Sequence, residues 1–306
     1  MTTNENSYQN CIDTSERVAW TIEQVLGGGR FDLARKFLPD TLARVQGISC
    51  LSEKEKLRLN QIRGLTYVHL FGFVEEFIIK EVLALAANHP IARSVERRAL
   101  LRFAEEESKH QLLFESAKQA LLAQLGECGL VPGASDVAGF VLSKSELCVL
   151  LLTSMLEWMT QHHYIDMFSA GGERESLDPT FLQMFKSHWI EEAQHAKLDH
   201  LEIQRSAQAS SPEAREAAID ELLEIGGAFD GLLKAQAELD LASLERAIGR
   251  TLSDQEQEEI LSVQHKAYRY TFLGTALKHP KFVGQVVELT RNGAGKIEQA
   301  AAVMSA

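Results

Sequence analysis

The sequence has little of what marks a secreted, membrane-spanning or nucleic-acid-binding protein. Its 306 residues include only six prolines, and strand-like alternation is nearly absent, which argues against a β-rich fold. The four cysteines, Cys11, Cys50, Cys128 and Cys148, lie far apart with no CxxC pair. That spacing fits free thiols in a reducing cytoplasm better than a disulfide framework. No long basic run offsets the formal charge of -12, so neither nucleic acid nor an anionic membrane is expected as the main partner. The longest apolar stretch, around Leu147 to Met159, is too short to span a bilayer. The start, MTTNENSYQN, has neither a basic region nor an apolar core, so no secretory signal is expected. What remains is an ordinary globular composition, 45% hydrophobic and 24% charged, ample for a packed core.

Helical periodicity dominates. The polar first dozen residues read as a loose end, followed by two short helices near Thr14–Leu26 and Phe31–Val45. A long helix opens at a Ser52 cap, with Glu55 placed for a capping box, and runs to about Asn88, where His89-Pro90 breaks it. A second covers about Ala92 to Leu125 and ends in the Gly/Pro-rich stretch Gly126–Gly139. The third begins near Ser143 and stops at Ala170-Gly171-Gly172. Asp178-Pro179 caps the fourth, which continues to about Ser206. Two or three further helices follow Pro212, with a start at Ser253-Asp254 and a break at His279-Pro280. No low-complexity linker divides the chain, so a single domain is expected: a bundle core over about residues 60–206, with flanking helices over about 14–52 and 212–295.

The anomaly is acid on apolar helix faces. In LCVLLLTSMLEWMTQ, Leu147 to Gln161, Glu157 is the only charged residue. In GLTYVHLFGFVEEFII, Gly64 to Ile79, only Glu75 and Glu76 are anionic. On a helix Glu75 shares its face with Phe71, Ile78, Ile79 and Val82, whereas Glu76 falls with His69 and Lys80. Glu75 is therefore the better buried candidate, with Glu76 the alternative. An ionised carboxylate buried without a partner costs several kcal/mol unless it is protonated, paired or bound to metal. One isolated Glu is more often salt-bridged to an Arg. Two in equivalent helices point elsewhere.

The other two long helices supply Glu107-x-x-His110 and Glu192-x-x-His195. An i, i+3 spacing puts both side chains on one face, able to hold one metal. About one such match is expected by chance in this composition, so the arrangement carries the weight. Glu107 follows Glu75 by 32 residues and Glu192 follows Glu157 by 35, as two packed helical hairpins of similar length require. Each motif is preceded by a further acid, Glu106 and Glu191. These are expected to stand behind the metal and accept the far N–H of a ligating histidine, each from the other motif. Four carboxylates and two divalent ions also balance in charge.

This pattern of Glu, E-x-x-H, Glu, E-x-x-H resembles the ferritin-like di-iron carboxylate proteins over about residues 64 to 206. The resemblance implies an all-α, ferritin-like four-helix bundle with additional N- and C-terminal helices. It also implies two iron ions, with manganese or a mixed Mn/Fe pair as alternatives. His188 stands four residues before Glu192 and seven before His195, on the same face. The pattern His188-x3-Glu192-x2-His195 resembles the p-aminobenzoate N-oxygenase type, in which a third histidine joins the site. The implied ligands are then Glu75, Glu107, His110, Glu157, His188, Glu192 and His195, with no catalytic residue beyond them. The radical tyrosine of ribonucleotide reductase small subunits is replaced here by Phe114.

The resemblance implies an oxidoreductase that activates oxygen to oxidise a small organic substrate, by N-oxygenation of an amine or by C–H hydroxylation or desaturation. Its rival is a non-catalytic, metal-handling ferritin-like protein. An electron donor or reductase and a homodimeric state are expected partners. Thr153, Ser154, Thr160, Gln161 and Tyr164 lie near Glu157, as pocket lining or as interhelical packing. Asp199 reads as a partner behind His195 or as a solvated acid, and His162, His163 and His200 have no spacing partner. The run HKAYRYTFLGTALKHPKF reads as an amphipathic helix on the bundle.

Overall fold

The computed structural model describes residues 3–169 and 172–305. Among them no strand occurs; a single bridge joins Lys36 to Leu177. The chain is all-helical. Four long helices carry the residues singled out above: α4 (Glu53–Asn88), α5 (Ser94–Leu125), α7 (Glu146–His162) and α8 (Pro179–Ala209). They are preceded by α1 (Thr3–Ser15), α2 (Ile22–Leu26) and α3 (Asp40–Ala43), with α6 (Ala134–Leu142) between the pairs. The C-terminal part adds α9 (Pro212–Ile248), α10 (Asp254–Arg269), α11 (Thr275–Leu277), α12 (Pro280–Leu289) and α13 (Gly293–Ser305). Two widened, π-helical turns interrupt the pattern, His163–Ser169 after α7 and Tyr270–Gly274 between α10 and α11. No helix among the described residues is long and apolar enough to cross a membrane.

Local chemistry sets the long helices' ends. The Ser52 backbone N–H donates to the Glu55 carboxylate at 2.8 Å, closing the start of α4. Asp178 accepts from the Phe181 N–H at 2.6 Å while Pro179 occupies the first turn of α8. The third long helix starts two residues later than expected, because Ser145 rather than Ser143 accepts the free N–H of Cys148. Its expected stop at Ala170-Gly171 lies outside the described residues.

Several sequence expectations fail, among them the helix over Thr14–Leu26, which shrinks to α2. The first dozen residues are not a loose end: α1 buries Tyr8, Cys11, Ile12 and Ser15, which recur at helical spacing against α5 and α8. The polar residues between them mask the stripe. The proposed helix over 31–45 shrinks to α3. Asn60 holds the backbone N–H of Phe37 and the carbonyl of Leu38, Gln61 holds the carbonyls of Leu33 and Arg35, and Gln124 holds both backbone groups of Phe31. Side chains thus satisfy a backbone that a helix would otherwise have satisfied itself. Pro39 further biases Leu38 away from helical geometry. A further failure is α6, a helix beginning inside the Gly/Pro-rich stretch read as a break. The C-terminal part also holds more helices than the two or three expected.

Helices α4, α9 and α10 are pinned by a buried polar knot. Asp240 accepts from Thr66 at 2.9 Å, from Gln236 at 2.8 Å and from Tyr268, while the buried Arg63 guanidinium lies over the Tyr268 ring. Burial holds the Asp240 carboxyl up at about 6. Further along α4, Gly64 lets the segment around Phe37 approach: a Cβ there would lie 2.6 Å from the Phe37 Cβ. Gly64→Ala is therefore expected to destabilise the fold by about 1–3 kcal/mol through overpacking, read as a lowered chemical-denaturation midpoint. An unchanged midpoint would show that the 31–39 segment yields freely.

Candidate metal centre

Each of the four long helices delivers its acid to one volume because its apolar face is the buried face. Glu75 on α4, Glu107 and His110 on α5, Glu157 on α7, and His188, Glu192 and His195 on α8 are all buried, none more than 3% exposed. Glu76, the alternative on α4, points outward to Lys80 at 2.7 Å.

All seven side chains converge. His188 Nε2 lies 2.6 Å from Glu192 Oε1 and 3.3 Å from Glu75 Oε1. His195 Nδ1 lies 2.8 Å from both Glu107 Oε1 and Glu192 Oε2. His110 Nδ1 stands 3.1 Å from Glu192 Oε1, 3.7 Å from Glu107 and 4.0 Å from Glu75. Glu157 completes the ring, lining the same cavity as Glu192. Two ligand sets have donor atoms mutually within 4.8 Å: Glu75, His110, His188 and Glu192, and Glu107, His110, Glu192 and His195.

The acids that precede each motif reach across to the opposite helix. His110 Nε2 donates to Glu191 at 2.9 Å, and His195 Nε2 donates to Glu106 at 2.9 Å. Each pairing fixes which ring nitrogen is turned toward the centre. Glu191 is held in turn by Lys109 at 2.5 Å, whose ammonium sits over the Trp20 ring. Glu106 accepts from Ser15 at 2.5 Å and from Gln194 at 3.2 Å. Sequence reasoning did not find Trp20 or Ser15; both come from the N-terminal segment, where no motif signals them. Asp199 is buried, and burial pushes its carboxyl well above the usual range, so it is not a solvated acid. His163 finds the Tyr67 hydroxyl at 2.6 Å and Thr275 at 3.0 Å. Of the polar residues near Glu157, Thr160 lines the centre's cavity. Ser154 instead pairs with Gln285 and Gln161 with the Trp189 carbonyl.

A cation fits here on the structure's own terms. Both carboxylate oxygens of Glu75 and of Glu107, and Nδ1 of His110, are buried with none of their close cluster neighbours in hydrogen-bonding geometry. Such groups are rare and costly unless something absent from the protein satisfies them. The donors are hard carboxylates and imidazoles, which suits iron or manganese.

Without metal, protons do the neutralising. Burial pushes the Glu75 carboxyl up to about 8, and burial together with Glu192 pushes Glu157 well above its ordinary value. Burial opposes charge on His110 and His195, but Glu192 and the flanking glutamates override it and raise both well above the usual imidazole range. Glu192 goes the other way: burial is outweighed by His188 and His195, which hold it well below the carboxylate range. Glu107 is lowered as well, but both are ionised in folded and unfolded chain alike above about pH 5; there the raised groups of the cluster bind more protons in the folded metal-free protein, and that contribution to stability falls as pH rises.

Two outcomes follow. The melting temperature of metal-stripped protein should decline as pH rises from about 5 to 8, and a flat or rising profile would contradict a proton-neutralised cluster. Replacing Glu106 or Glu191 by Gln should preserve the fold but weaken metal affinity by roughly 10–100-fold, measured by competition with a chelator.

No family model matches the sequence, and no curated protein matches it. Solved structures with a similar course of the chain include an R2-like ligand-binding oxidase with an aerobically reconstituted Mn/Fe cofactor. It is 16% identical, with a TM-score of 0.48, over 88% of this chain and 92% of that one. A point variant of such an oxidase with an Fe/Fe cofactor is 15% identical, with a TM-score of 0.48, over 87% of this chain and 92% of that one. Another variant, with an anaerobically reconstituted Mn/Fe cofactor, has a TM-score of 0.49 at 15% identity, over 86% of this chain and 92% of that one.

Proposed function

We propose that this chain is an oxygen-dependent dimetal oxidoreductase, with two iron ions, or manganese and iron, held by Glu75, Glu107, His110, Glu157, His188, Glu192 and His195. The observation that carries the reading is the convergence of these buried side chains, with the oxygens of Glu75 and Glu107 and Nδ1 of His110 and of His188 lacking a hydrogen-bond partner. Bound there, a redox-active pair supplies the electrons that open oxygen for reaction with a small organic substrate. The protein's part is to hold the ligands, fix the ring nitrogens and exclude water. Entry of one oxygen atom into the substrate with release of the other as water would take two electrons from the substrate, two through the metal pair and two protons, and a reductase would restore the pair's two electrons. A single domain, a homodimeric state and a cytoplasmic setting belong to the same reading.

His188 refines it toward N-oxygenation of an amine. Since Glu191 occupies His110 Nε2, His110 has one nitrogen for the centre and serves one ion. His110 stands with His188 in one ligand set and with His195 in the other, so three imidazoles shared by two ions would leave one ion with two and the other with one. The two ions are then inequivalent.

The reading predicts about two metal ions per chain after iron-replete expression, set by the four-carboxylate balance. Glu107→Ala and Glu192→Ala should each lower that content, and unchanged content in both would sink the assignment. Many irons per chain would indicate storage instead. His188→Ala should retain metal through the other six ligands yet change the Mössbauer spectrum from two inequivalent sites. A metal-loaded crystal structure with the His188 ring beyond bonding distance would refute its role.

A further inference from the structure

Beside the cluster lies a second cavity of different chemistry. The space at the ligands is about 20 Å³, room for about one water molecule and not for an organic substrate. Val74, Leu156 and Phe272 line it, and the same three residues line a neighbouring chamber of about 110 Å³. Two of them are chain neighbours of proposed ligands: Val74 precedes Glu75, and Leu156 precedes Glu157. One turn of α4 and one of α7 thus present a carboxylate to the metals and an aliphatic side chain to the chamber. From that wall the chamber runs between α6, α7, α9 and α13 toward the surface. Every described residue lining it is aliphatic, aromatic, methionine or glycine. The lining itself carries no charge to hold a carboxylate or an ammonium; at Phe140, Lys144 lies over the ring and is already paired with Glu224.

Glycine stands among the residues at the mouth. Gly226 lines the chamber in the interior of α9, where glycine is a poor helix former. Packing does not require it: a Cβ at Gly226 would meet nothing within 4 Å, whereas one at Gly64 would strike Phe37. Phe140, Phe229 and Met304 around the same mouth are only half-buried.

We infer that this chamber is the substrate site of the proposed oxidoreductase, and that its occupant is an uncharged, largely hydrocarbon molecule reaching the metals past Val74, Leu156 and Phe272. The inference rests on the dimetal reading for the word substrate, but the binding it predicts needs no metal. A buried ion with no counter-charge is disfavoured by far more than the hydrocarbon around it gains. Carboxylates and alkylammonium ions are therefore excluded, while neutral molecules, an unprotonated arylamine among them, are admitted.

The test uses N-phenyl-1-naphthylamine, a neutral fluorophore that brightens on burial, with metal-free and manganese-loaded full-length protein. 1-Octanol should displace it at concentrations at least about tenfold lower than octanoate or octylammonium at pH 7. Gly226→Phe should weaken probe binding at least about tenfold by filling the mouth. Gly227→Phe, at an exposed neighbour outside the chamber, should leave it unchanged. Equal displacement by octanoate would overturn the neutral occupant, and undiminished binding to Gly226→Phe would overturn the chamber. Manganese loading should then shorten the fluorine relaxation times of bound 8,8,8-trifluoro-1-octanol. Unchanged relaxation in protein shown to hold manganese would separate the chamber from the metals and overturn the substrate assignment. A chain that holds no manganese fails the dimetal reading at the metal analysis, before the fluorine measurement is made.

Discussion

Four carboxylates meet inside a helical core, and the rest of the structure answers to that. At separations of a few ångströms in a low-dielectric interior, like charges repel strongly. Glu75, Glu107, Glu157 and Glu192 persist together only with cations among them. The three histidines stand between the acids and not around them. His188 bridges Glu75 and Glu192, and His195 bridges Glu107 and Glu192. Protons perform the neutralisation in the metal-free state, leaving the acids free to exchange them for divalent ions.

Holding that exchange in one geometry takes a second ring of groups. The two E-x-x-H helices strap one another, Glu191 of α8 to His110 of α5 and Glu106 of α5 to His195 of α8. A reciprocal arrangement of this kind resists rotation of either helix, because turning one releases a buried carboxylate on each side. The straps are themselves anchored from the N-terminal segment, through Ser15 on Glu106 and through Lys109 beneath Trp20 on Glu191. Helix α1 also reaches Glu202 through Tyr8 at 2.6 Å, and Glu202 holds His89 beyond the end of α4. The flanking helix is therefore part of what orients the centre.

The long helices and their converging acids were legible in the sequence because burial of acid is rare enough to stand out. Glu157 as the one charge in fifteen residues, and Glu75 on the apolar side of its helix, are signals that need no neighbour to interpret. The capping residues were legible for the same reason: Ser52 with Glu55, and Asp178 with Pro179, act within one turn. What was not legible depends on distant partners. Asn60, Gln61 and Gln124 hold residues 31–38 out of a helix from positions far along the chain. The buried stripe of α1 is only four residues among polar ones. His163 acquires its partners from α4 and from the segment at Thr275, which no spacing within its own helix announces.

That last contact ties together the two places where regular helix gives way. A π-helical turn places an extra residue in the coil and is common at functional sites. One such turn begins at His163, six residues beyond Glu157; the other contains Phe272, the wall between the polar cavity and the apolar chamber. His163 joins them, since its Nε2 meets Thr275 immediately after the second turn and its Nδ1 meets the Tyr67 hydroxyl on α4. Burial holds that imidazole down at about 3, so it is neutral and can accept from one hydroxyl while donating to the other. A neutral link adds no charge to a core that already concentrates four acids. It fixes Phe272 relative to α4 and α7, the two helices whose neighbouring residues face the carboxylate cluster on one side and the hydrocarbon on the other. The boundary between carboxylate cluster and apolar chamber is thus positioned by hydrogen bonds that belong to neither.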